Sequence, residues 1–256
     1  RFFDLGPAEQ NMMSIAAGLA NAGKIPFAST FAVFGSGRPF DQIRLGISQP
    51  HLNVKIVVTH AGIITGDDGM SAHGIEDLSL MCALPGFTVI VPSDGPETAS
   101  AVIEAARTNG PFYIRLSRPS IPVIHSGDDK FQIGKAETLK HGSDATVIAC
   151  GIMVKIALDA AEVMRKYGIS CRVINLATLQ PVDRDAIARA GRETGAVVTA
   201  EEHLKHGGLG SIVAQVLGEE CPVPLEMVSL AGYAESGEPD QLREKYGLTS
   251  AHIVEA

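Results

Sequence analysis

Short runs of β-branched residues alternate with longer amphipathic stretches along almost the whole chain. This alternation predicts strand–helix–strand units, in which parallel strands form a sheet covered by helices. In the first part of the chain, strands are predicted at 25–31, 54–59, 88–92 and 112–116, and helices at 8–22, 40–47, 74–84 and 96–108. In the second part, strands are predicted at 146–150, 171–175, 197–200 and 226–230, and helices at 153–167, 184–192, 211–217 and 239–246. The predicted class is α/β, with two mainly parallel sheets flanked by helices.

A segment rich in Pro, Gly, Ser and Asp separates the two series of elements. It spans residues 118–142 and is the strongest linker signal in the sequence. The 256 residues suffice for two domains of ordinary size. We therefore predict one domain at 1–120, a linker at 121–140 and a second domain at 141–256.

The composition disfavours several classes of protein. There are 21 basic and 29 acidic residues, so the formal net charge is −8 and general nucleic-acid binding, which needs a basic face, is not expected. No stretch reaches the roughly 20 apolar residues of a membrane helix. The four cysteines stand singly, which predicts neither a zinc site nor a disulfide framework. Reduced thiols are typical of the cytoplasm, which is the expected location.

An acidic residue stands in the first turn of the first predicted helix. Glu9 can simply complement the helix dipole there, an effect of a few tenths to about 1 kcal/mol. The helix that follows is apolar on most sides, so its start is expected inside the structure. A carboxyl group in that position would be partly desolvated and able to share a proton. The spacing alone favours the helix-dipole interpretation, and the expected burial of the helix start is what supports the second one.

Two phenylalanines and an arginine lie where strands are predicted to end. Phe31 and Phe34 precede a glycine-rich segment, and their rings could belong to the core or stack on a flat heterocycle. Arg118 follows the strand at 112–116. It is either a surface or domain-bridging residue or an anion clamp, because a guanidinium group binds phosphate with a fixed fork of donors.

The most polar loop, residues 59–73, follows the strand at 54–59. Ligands of open α/β sheets bind beyond the carboxyl ends of strands, so this loop is well placed for a site. It contains Asp67 and Asp68 together with His60 and His73. A metal site is a competing idea, but the spacing matches no known zinc pattern, and Gly-Asp-Asp-Gly is also typical of a turn.

The glycine-rich segment 207–210 lacks the spacing of a nucleotide-binding loop. We predict a tight strand-to-helix turn there. The adjacent Glu201, Glu202, His203 and His206 are predicted to be interface or surface residues and not catalytic ones.

Several ordered motifs resemble those of the transketolase family. The motifs DLGPAEQN (4–11), STFAVF (29–34), THAG (59–62), GDDG (66–69) and IRLSRP (114–119) match the family's pyrimidine-binding domain, and VINLATLQP (173–181) with the turn at 207–210 matches its C-terminal domain. The resemblance covers nearly the whole chain. It is strongest to the C-terminal subunit of split transketolases, in which a separate chain supplies the diphosphate-binding domain. It implies transfer of a two-carbon ketol unit between sugar phosphates, as in the pentose phosphate pathway, with thiamine diphosphate as cofactor.

The resemblance assigns Glu9, Phe31 and Phe34 to the cofactor. Glu9 matches the glutamate that hydrogen-bonds the aminopyrimidine ring, so that the cofactor can remove its own C2 proton. Phe31 and Phe34 match aromatic residues that stack on or enclose that ring. A tyrosine that often completes the pocket has Gly37 or Arg38 near its place. The family strand that precedes the first motif has no counterpart in this sequence, so the first domain is expected without its leading strand.

The resemblance assigns three further residues to the substrate. His60 and Arg118 match residues that meet the sugar phosphate, with Arg118 as the phosphate anchor, and Asp68 matches a carboxylate that meets a donor hydroxyl. The family usually has His four residues after this aspartate. This chain has Ala72 there and His73 next, so His73 is a substrate-binding candidate whose position departs from the pattern.

The family binds Mg²⁺ and the diphosphate through a Gly-Asp-Gly segment followed by Asn-Asn, and Asn-Asn does not occur in this sequence. We therefore predict that the metal is held by an N-terminal partner subunit and that this chain alone does not catalyse. Self-pairing would make the assembly a homodimer of such pairs, a heterotetramer.

The alternative functions for this chain are a deoxyxylulose-phosphate synthase, the beta subunit of a 2-oxoacid dehydrogenase, and a non-catalytic partner that keeps the fold. The segments 31–34, 40–44 and 116–118 favour transketolase.

Overall fold

The first of two sheets is built mainly from the first half of the chain. The computed structural model describes residues 1–127 and 131–256, so residues 128–130 of the predicted linker lie outside the described part. The strand order is β1-β2-β4-β3-β8, and only β8 is antiparallel to its neighbour. The strands are β1 (Phe27–Phe31), β2 (Lys55–Thr59), β3 (Thr88–Ile90), β4 (Phe112–Arg115) and β8 (Thr178–Gln180).

The second sheet is built from the second half of the chain, in the order β10-β9-β6-β7-β5. All of its pairings are parallel except that of the edge strand β5. The strands are β5 (Glu137–Lys140), β6 (Ala145–Ala149), β7 (Cys171–Asn175), β9 (Val197–Leu204) and β10 (Leu225–Leu230). The predicted α/β class with mainly parallel sheets is confirmed.

The helices alternate with the strands as the sequence predicts. They are α1 (Glu9–Asn21), α2 (Ala32–Ser36), α3 (Phe40–Ile43), α4 (Asp77–Cys82), α5 (Gly95–Arg107), α6 (Met153–Lys166), α7 (Arg184–Thr194), α8 (Leu209–Glu220), α9 (Pro239–Lys245) and α10 (Ser250–Glu255). A π-helical turn (Arg44–Ser48) continues α3, and a 3₁₀ segment (Ile63–Asp68) follows β2. None of the helices in the described part of the chain has both the length and the apolar content needed to traverse a bilayer.

Local capping chemistry explains where two of the longer helices begin. The Asp94 side chain accepts a hydrogen bond from the backbone N–H of Glu97 at the start of α5, where Pro96 occupies the first turn. The Asp183 side chain accepts one from Ala186 at the start of α7. Each carboxylate satisfies an N–H group that has no partner within the helix, and it complements the helix dipole.

Four of the strands and α-helices were not predicted, and one of them is the five-residue helix α2. Strand β5 lies at 137–140, within the predicted linker, and pairs with β7 at the edge of the second sheet. Strand β8 is only three residues long and pairs with β3 of the first sheet. Helix α10 ends the chain. Such short segments carry little periodicity, and β8 is defined by a partner that is distant in sequence.

A buried arginine, paired with an aspartate of its own half of the chain, also forms a hydrogen bond to the other half. Arg115 at the end of β4 donates from Nε to the Asp77 carboxylate at 2.9 and 3.2 Å, and from Nη2 to the backbone carbonyl oxygens of Gly74 (2.8 Å) and Glu202 (3.0 Å). The hydroxyl of Tyr113 donates to the same carboxylate at 2.7 Å. Both members of the ion pair are almost fully buried. Because Glu202 belongs to β9, one guanidinium group links the two sheets.

The end of strand β9 is buried in this interface, at Glu201, Glu202 and His203, for which the sequence left an interface and a surface position open. Glu201 accepts hydrogen bonds from the backbone N–H groups of Leu209 (2.7 Å) and Gly210 (2.8 Å), which begin α8. Burial raises the pKa of Glu201 and of Glu202 to about 7, although Arg115 acts in the opposite direction on both. Burial likewise lowers the pKa of His203 to about 4.

A buried histidine fastens the connecting segment to both halves. His125 Nδ1 lies 3.0 Å from Asp94 Oδ2 in the first half, and Nε2 lies 3.1 Å from Glu137 Oε2 in β5. Burial lowers the pKa of His125, but the charges of Glu97, Asp94 and Glu137 outweigh it and the net pKa is raised. With both ring nitrogens facing carboxylates, the imidazolium form fits this position best.

We expect His125→Gln to lower the melting temperature most at mildly acidic pH. Because the pKa is raised in the folded chain, the stabilisation is complete below about pH 6.5 and declines as the pH rises through the folded-state value. Loss of hydrogen bonds between charged groups, about 2 kcal/mol, corresponds to a fall of roughly 5 °C.

The measurement is the difference in melting temperature between wild type and variant from pH 5.5 to 9. The control is His141→Gln, since His141 is exposed and forms no ion pair within residues 1–127 and 131–256; the melting temperature of this variant should differ little from wild type at any pH. A difference for His125→Gln that is independent of pH would contradict the imidazolium assignment.

Candidate functional site

The candidate site lies at the carboxyl ends of three neighbouring parallel strands, β1, β2 and β4. Phe31 ends β1, His60 follows β2, and Arg118 lies three residues beyond β4. In parallel sheets such adjacent strand ends form the crevice in which ligands bind. The fold therefore brings together residues that are far apart in the sequence.

Glu9 is buried at the start of α1, with 7% of its surface exposed. Its two carboxylate oxygens lie 3.2 and 3.3 Å from Nη1 of Arg38, in the segment between α2 and α3. The guanidinium carbon of Arg38 lies 4.0 Å above the centre of the Phe34 ring. The planar guanidinium group of Arg38 thus contacts both the carboxylate of Glu9 and the face of the Phe34 ring.

Aromatic contacts lead from Phe34 to His60. The rings of Phe31 and Phe34 are nearly parallel, at 8°, with centres 5.8 Å apart. The Phe31 ring also stacks on the His60 imidazole at 3.6 Å and 11°. His60 Nδ1 lies 2.8 Å from the Thr59 hydroxyl oxygen. Burial lowers the pKa of His60 and Arg118 lowers it further, while Asp68 acts in the opposite direction.

The far end of this contact series is open to solvent. Arg118 Nη1 donates to the backbone carbonyl of Thr65 at 2.7 Å and lies 3.4 Å from Asp68 Oδ2. The Thr65 hydroxyl donates to the carbonyl of His60 at 2.8 Å. The side chains of Arg118 and Asp68 are 46% and 40% exposed, so the guanidinium group can still meet an external anion.

The loop that carries His60 and Asp68 is fixed by the second half of the chain. The backbone N–H of Ile64 donates to Glu202 Oε1 at 2.7 Å. Gly62 has a φ of +80°, and a Cβ atom there would lie only 2.1 Å from the carboxyl carbon of Glu202. A glycine is required for both reasons, conformation and space.

His73 lies behind the loop. It is 1% exposed, and its Nε2 lies 3.1 Å from the carbonyl oxygen of Gly66, to which it donates. That bond leaves Nδ1 without a proton, and this buried atom has no hydrogen-bond partner among the described residues. Burial lowers the pKa of His73, while Gly66 and Asp68 act in the opposite direction. The ring supports the kink at Gly66 and does not lie at the open edge, so a direct substrate contact does not fit its position.

The residues present fit one half of thiamine diphosphate. Glu9 and Phe34 together offer a carboxylate acceptor and an aromatic face to a flat group that carries N–H donors, as the Arg38 guanidinium demonstrates. An aminopyrimidine ring has the same features. Within residues 1–127 and 131–256, no group of three or more His, Cys, Asp or Glu side chains converges on a possible metal position.

Arg38 and Glu202 are the residues of this site that sequence reasoning missed. Arg38 was noted only as standing near the place of a family tyrosine, and Glu202 only as an interface residue. The buried Glu9 needs a cationic partner, and that need is the one signal that could have pointed to Arg38. No local pattern points to the contact between Glu202 and a loop 138 residues earlier.

The fold and the site define a two-domain α/β protein with its site residues at the ends of parallel strands. Residues 1–123 match the family model described as transketolase, pyrimidine binding domain, and residues 134–253 match transketolase, C-terminal domain. The chain therefore belongs to the transketolase family.

Curated relatives support this membership over the full length. The chain is 45% identical to the 6-deoxy-6-sulfo-D-fructose transketolase subunit SqwH of Clostridium sp. strain MSTE9, an alignment that covers 100% of this chain and 80% of that protein. It is 39% identical to mouse transketolase, again over 100% of this chain but only 41% of that protein.

Solved structures give the same result. The chain superposes on a split-gene transketolase described as an inactive β4 tetramer with a TM-score of 0.95 and 50% identity, covering 100% of this chain and 82% of that one. The fold also matches transketolase of Campylobacter jejuni, with a TM-score of 0.80 at 24% identity, over 98% of this chain and 38% of that one.

We expect Gly62→Ala to destabilise the chain and to loosen the loop that carries His60. The new methyl group would collide with Glu202, and φ would be strained. Overpacking alone costs about 1–3 kcal/mol, which corresponds to a fall in melting temperature of roughly 2–12 °C.

The matched control is Gly18→Ala, since Gly18 lies in α1 and a Cβ atom there would have no neighbour within 4 Å. This control is expected to be neutral or slightly stabilising, because alanine favours the helix. Equal melting temperatures for Gly62→Ala and wild type would show that the loop is not held in the way described.

Proposed function

We propose that this chain is the C-terminal subunit of a split transketolase and supplies the pyrimidine-binding half of a thiamine diphosphate site. The observation that carries the proposal is a series of contacts that begins at Glu9 and ends at Arg118. Arg38 links Glu9 to the stacked rings of Phe34, Phe31 and His60, and Thr65 links His60 to Arg118. The series links a buried carboxylate, which suits the cofactor, to an exposed cation, which suits a substrate. The reaction is transfer of a two-carbon ketol unit between sugar phosphates.

When bound, thiamine diphosphate would supply the nucleophilic carbon that takes up the ketol unit. The chain's own contribution is to bind and orient the pyrimidine ring. Glu9 would accept a hydrogen bond from a ring N–H in a buried position, where such a bond is strong because water is excluded. Phe31 and Phe34 would provide the stacking surface and keep water from the ring.

The substrate would lie at the open end of the contact series. Arg118 is proposed to bind the terminal phosphate, because an exposed guanidinium group can pair with an anion in a bidentate way. Asp68 would accept a hydrogen bond from a sugar hydroxyl. His60, with its lowered pKa, would be neutral near pH 7 and able to accept or donate a hydrogen bond to the substrate.

A second candidate substrate follows from one relative. SqwH, which is 45% identical, is named for 6-deoxy-6-sulfo-D-fructose. That sugar ends in a sulfonate, and Arg118 could bind a sulfonate as it binds a phosphate, since both present anionic oxygens to the guanidinium fork. A substrate panel separates the two candidates.

A partner subunit is part of the proposal. The resemblance assigns Mg²⁺ to a Gly-Asp-Gly segment followed by Asn-Asn, and this sequence contains no Asn-Asn. We propose that an N-terminal subunit binds Mg²⁺ and the diphosphate, and that two such pairs form a heterotetramer in the cytoplasm. A β4 tetramer of a split-gene transketolase is described as inactive, which is consistent with a requirement for the second subunit.

We expect Glu9→Gln to lower the ketol-transfer rate of the complex reconstituted with the N-terminal subunit by about 10²–10⁴-fold, the range of a lost proton-sharing group. The assay uses xylulose 5-phosphate with ribose 5-phosphate, alongside 6-deoxy-6-sulfofructose and pyruvate as alternative donors. Glu226→Gln, an exposed residue on β10, is the control. A full rate for Glu9→Gln would favour a non-catalytic role, and pyruvate as the preferred donor would favour deoxyxylulose-phosphate synthase or a 2-oxoacid dehydrogenase.

We expect Arg118→Met to raise the KM for the phosphorylated or sulfonated substrate by about 10–100-fold and to change kcat little. The reason is that a charge-assisted hydrogen bond of about 1.5–3 kcal/mol is lost on binding. Arg107→Met, an exposed position in α5, serves as the control. An unchanged KM would remove Arg118 from the substrate site.

A further inference from the structure

Arg38 makes the two contacts that the proposed function gives to the pyrimidine ring. Its Nη1 donates to the Glu9 carboxylate, and its planar guanidinium group stacks on Phe34 with its carbon 4.0 Å from the ring centre. A guanidinium group and an aminopyrimidine are both flat and both carry N–H donors at their edge. The two groups therefore compete for the same carboxylate and the same aromatic face.

We propose that Arg38 is a determinant of cofactor affinity: its side chain occupies the pyrimidine position of the site until thiamine diphosphate displaces it. This inference rests on the proposed function. Without such a placeholder, Glu9 would be a buried carboxylate with no partner, which is costly. Arg38 stabilises the cofactor-free chain and weakens cofactor binding by the same free energy.

The geometry allows the side chain to leave while the backbone stays. The carbonyl oxygen of Arg38 accepts a hydrogen bond from Gln10 Nε2 at 3.2 Å, which ties the backbone to α1. The Arg38 side chain is 53% exposed, so solvent is available to the displaced guanidinium group. Displacement therefore requires rotation of one side chain and no movement of α1 or α2.

The test measures binding of thiamine diphosphate with Mg²⁺ to the reconstituted complex by calorimetry, without substrate. Arg38→Met should tighten binding by about threefold to thirtyfold, because a partly exposed ion pair and a cation–π contact no longer have to be broken. Arg44→Met is the matched control, since Arg44 lies six residues further along, is exposed and forms no ion pair with any residue that the structure describes; it should leave affinity unchanged. Arg38→Lys keeps the positive charge but lacks the planar guanidinium group. Its affinity for the cofactor should lie between those of wild type and Arg38→Met.

A second readout uses the isolated chain. Arg38→Met should lower its melting temperature, and this loss should largely vanish when Glu9→Gln is already present, because the ion pair is then absent. Non-additivity of this kind reports the contact directly.

Each outcome has a definite reading. Equal or weaker cofactor binding by Arg38→Met would overturn the inference, and weaker binding would show that Arg38 contacts the cofactor itself. If only Arg38→Met binds the cofactor detectably, the placeholder is supported in its strongest form. If neither wild type nor variant binds it, the proposed function fails together with this inference.

Discussion

The buried ion pair between Arg115 and Asp77 lies where the two halves of the chain meet, and its guanidinium group contacts both of them. The guanidinium group of Arg115 donates hydrogen bonds to the carboxylate of Asp77 in the first half and to the backbone carbonyl of Glu202 in the second half. Buried charges of this kind are costly unless every polar atom finds a partner, and here Tyr113 supplies a further donor to the carboxylate. The arrangement tolerates little displacement, so it fixes where β9 ends against the first sheet.

That fixed position decides the geometry of the site. Glu202, whose backbone carbonyl accepts the hydrogen bond from Arg115, also accepts one from the backbone N–H of Ile64 through its side chain. The same side chain leaves room only for glycine at position 62. The loop that carries His60 and Asp68 is thus shaped by a strand from the other half of the chain. The apolar core also extends across both halves, because Leu78 of the first half and Leu209 of the second belong to one cluster of buried side chains. The site is a property of the whole chain.

The sequence was informative wherever a signal is local. The strong periodicity of β2, α5 and α6 predicted those elements to within a few residues, and Glu9 was expected to be buried at a helix start, as it is. What could not be predicted depends on distant partners. Strand β8 exists because β3 offers an edge, and Arg38 acquires its role because folding brings Glu9 within reach across 29 positions. The ring of His73 could be placed only once Gly66 was seen beside it.

The small strand β8 belongs by sequence to the second half but completes the sheet of the first. Gln180 of β8 strengthens this link, since its side-chain amide donates hydrogen bonds to the backbone carbonyls of Leu84 and Phe87 in the first half. Moving the two halves apart would leave the backbone of β3 as an unpaired strand edge and β8 without its partner. The sheet of the first half is therefore complete only with the second half in place.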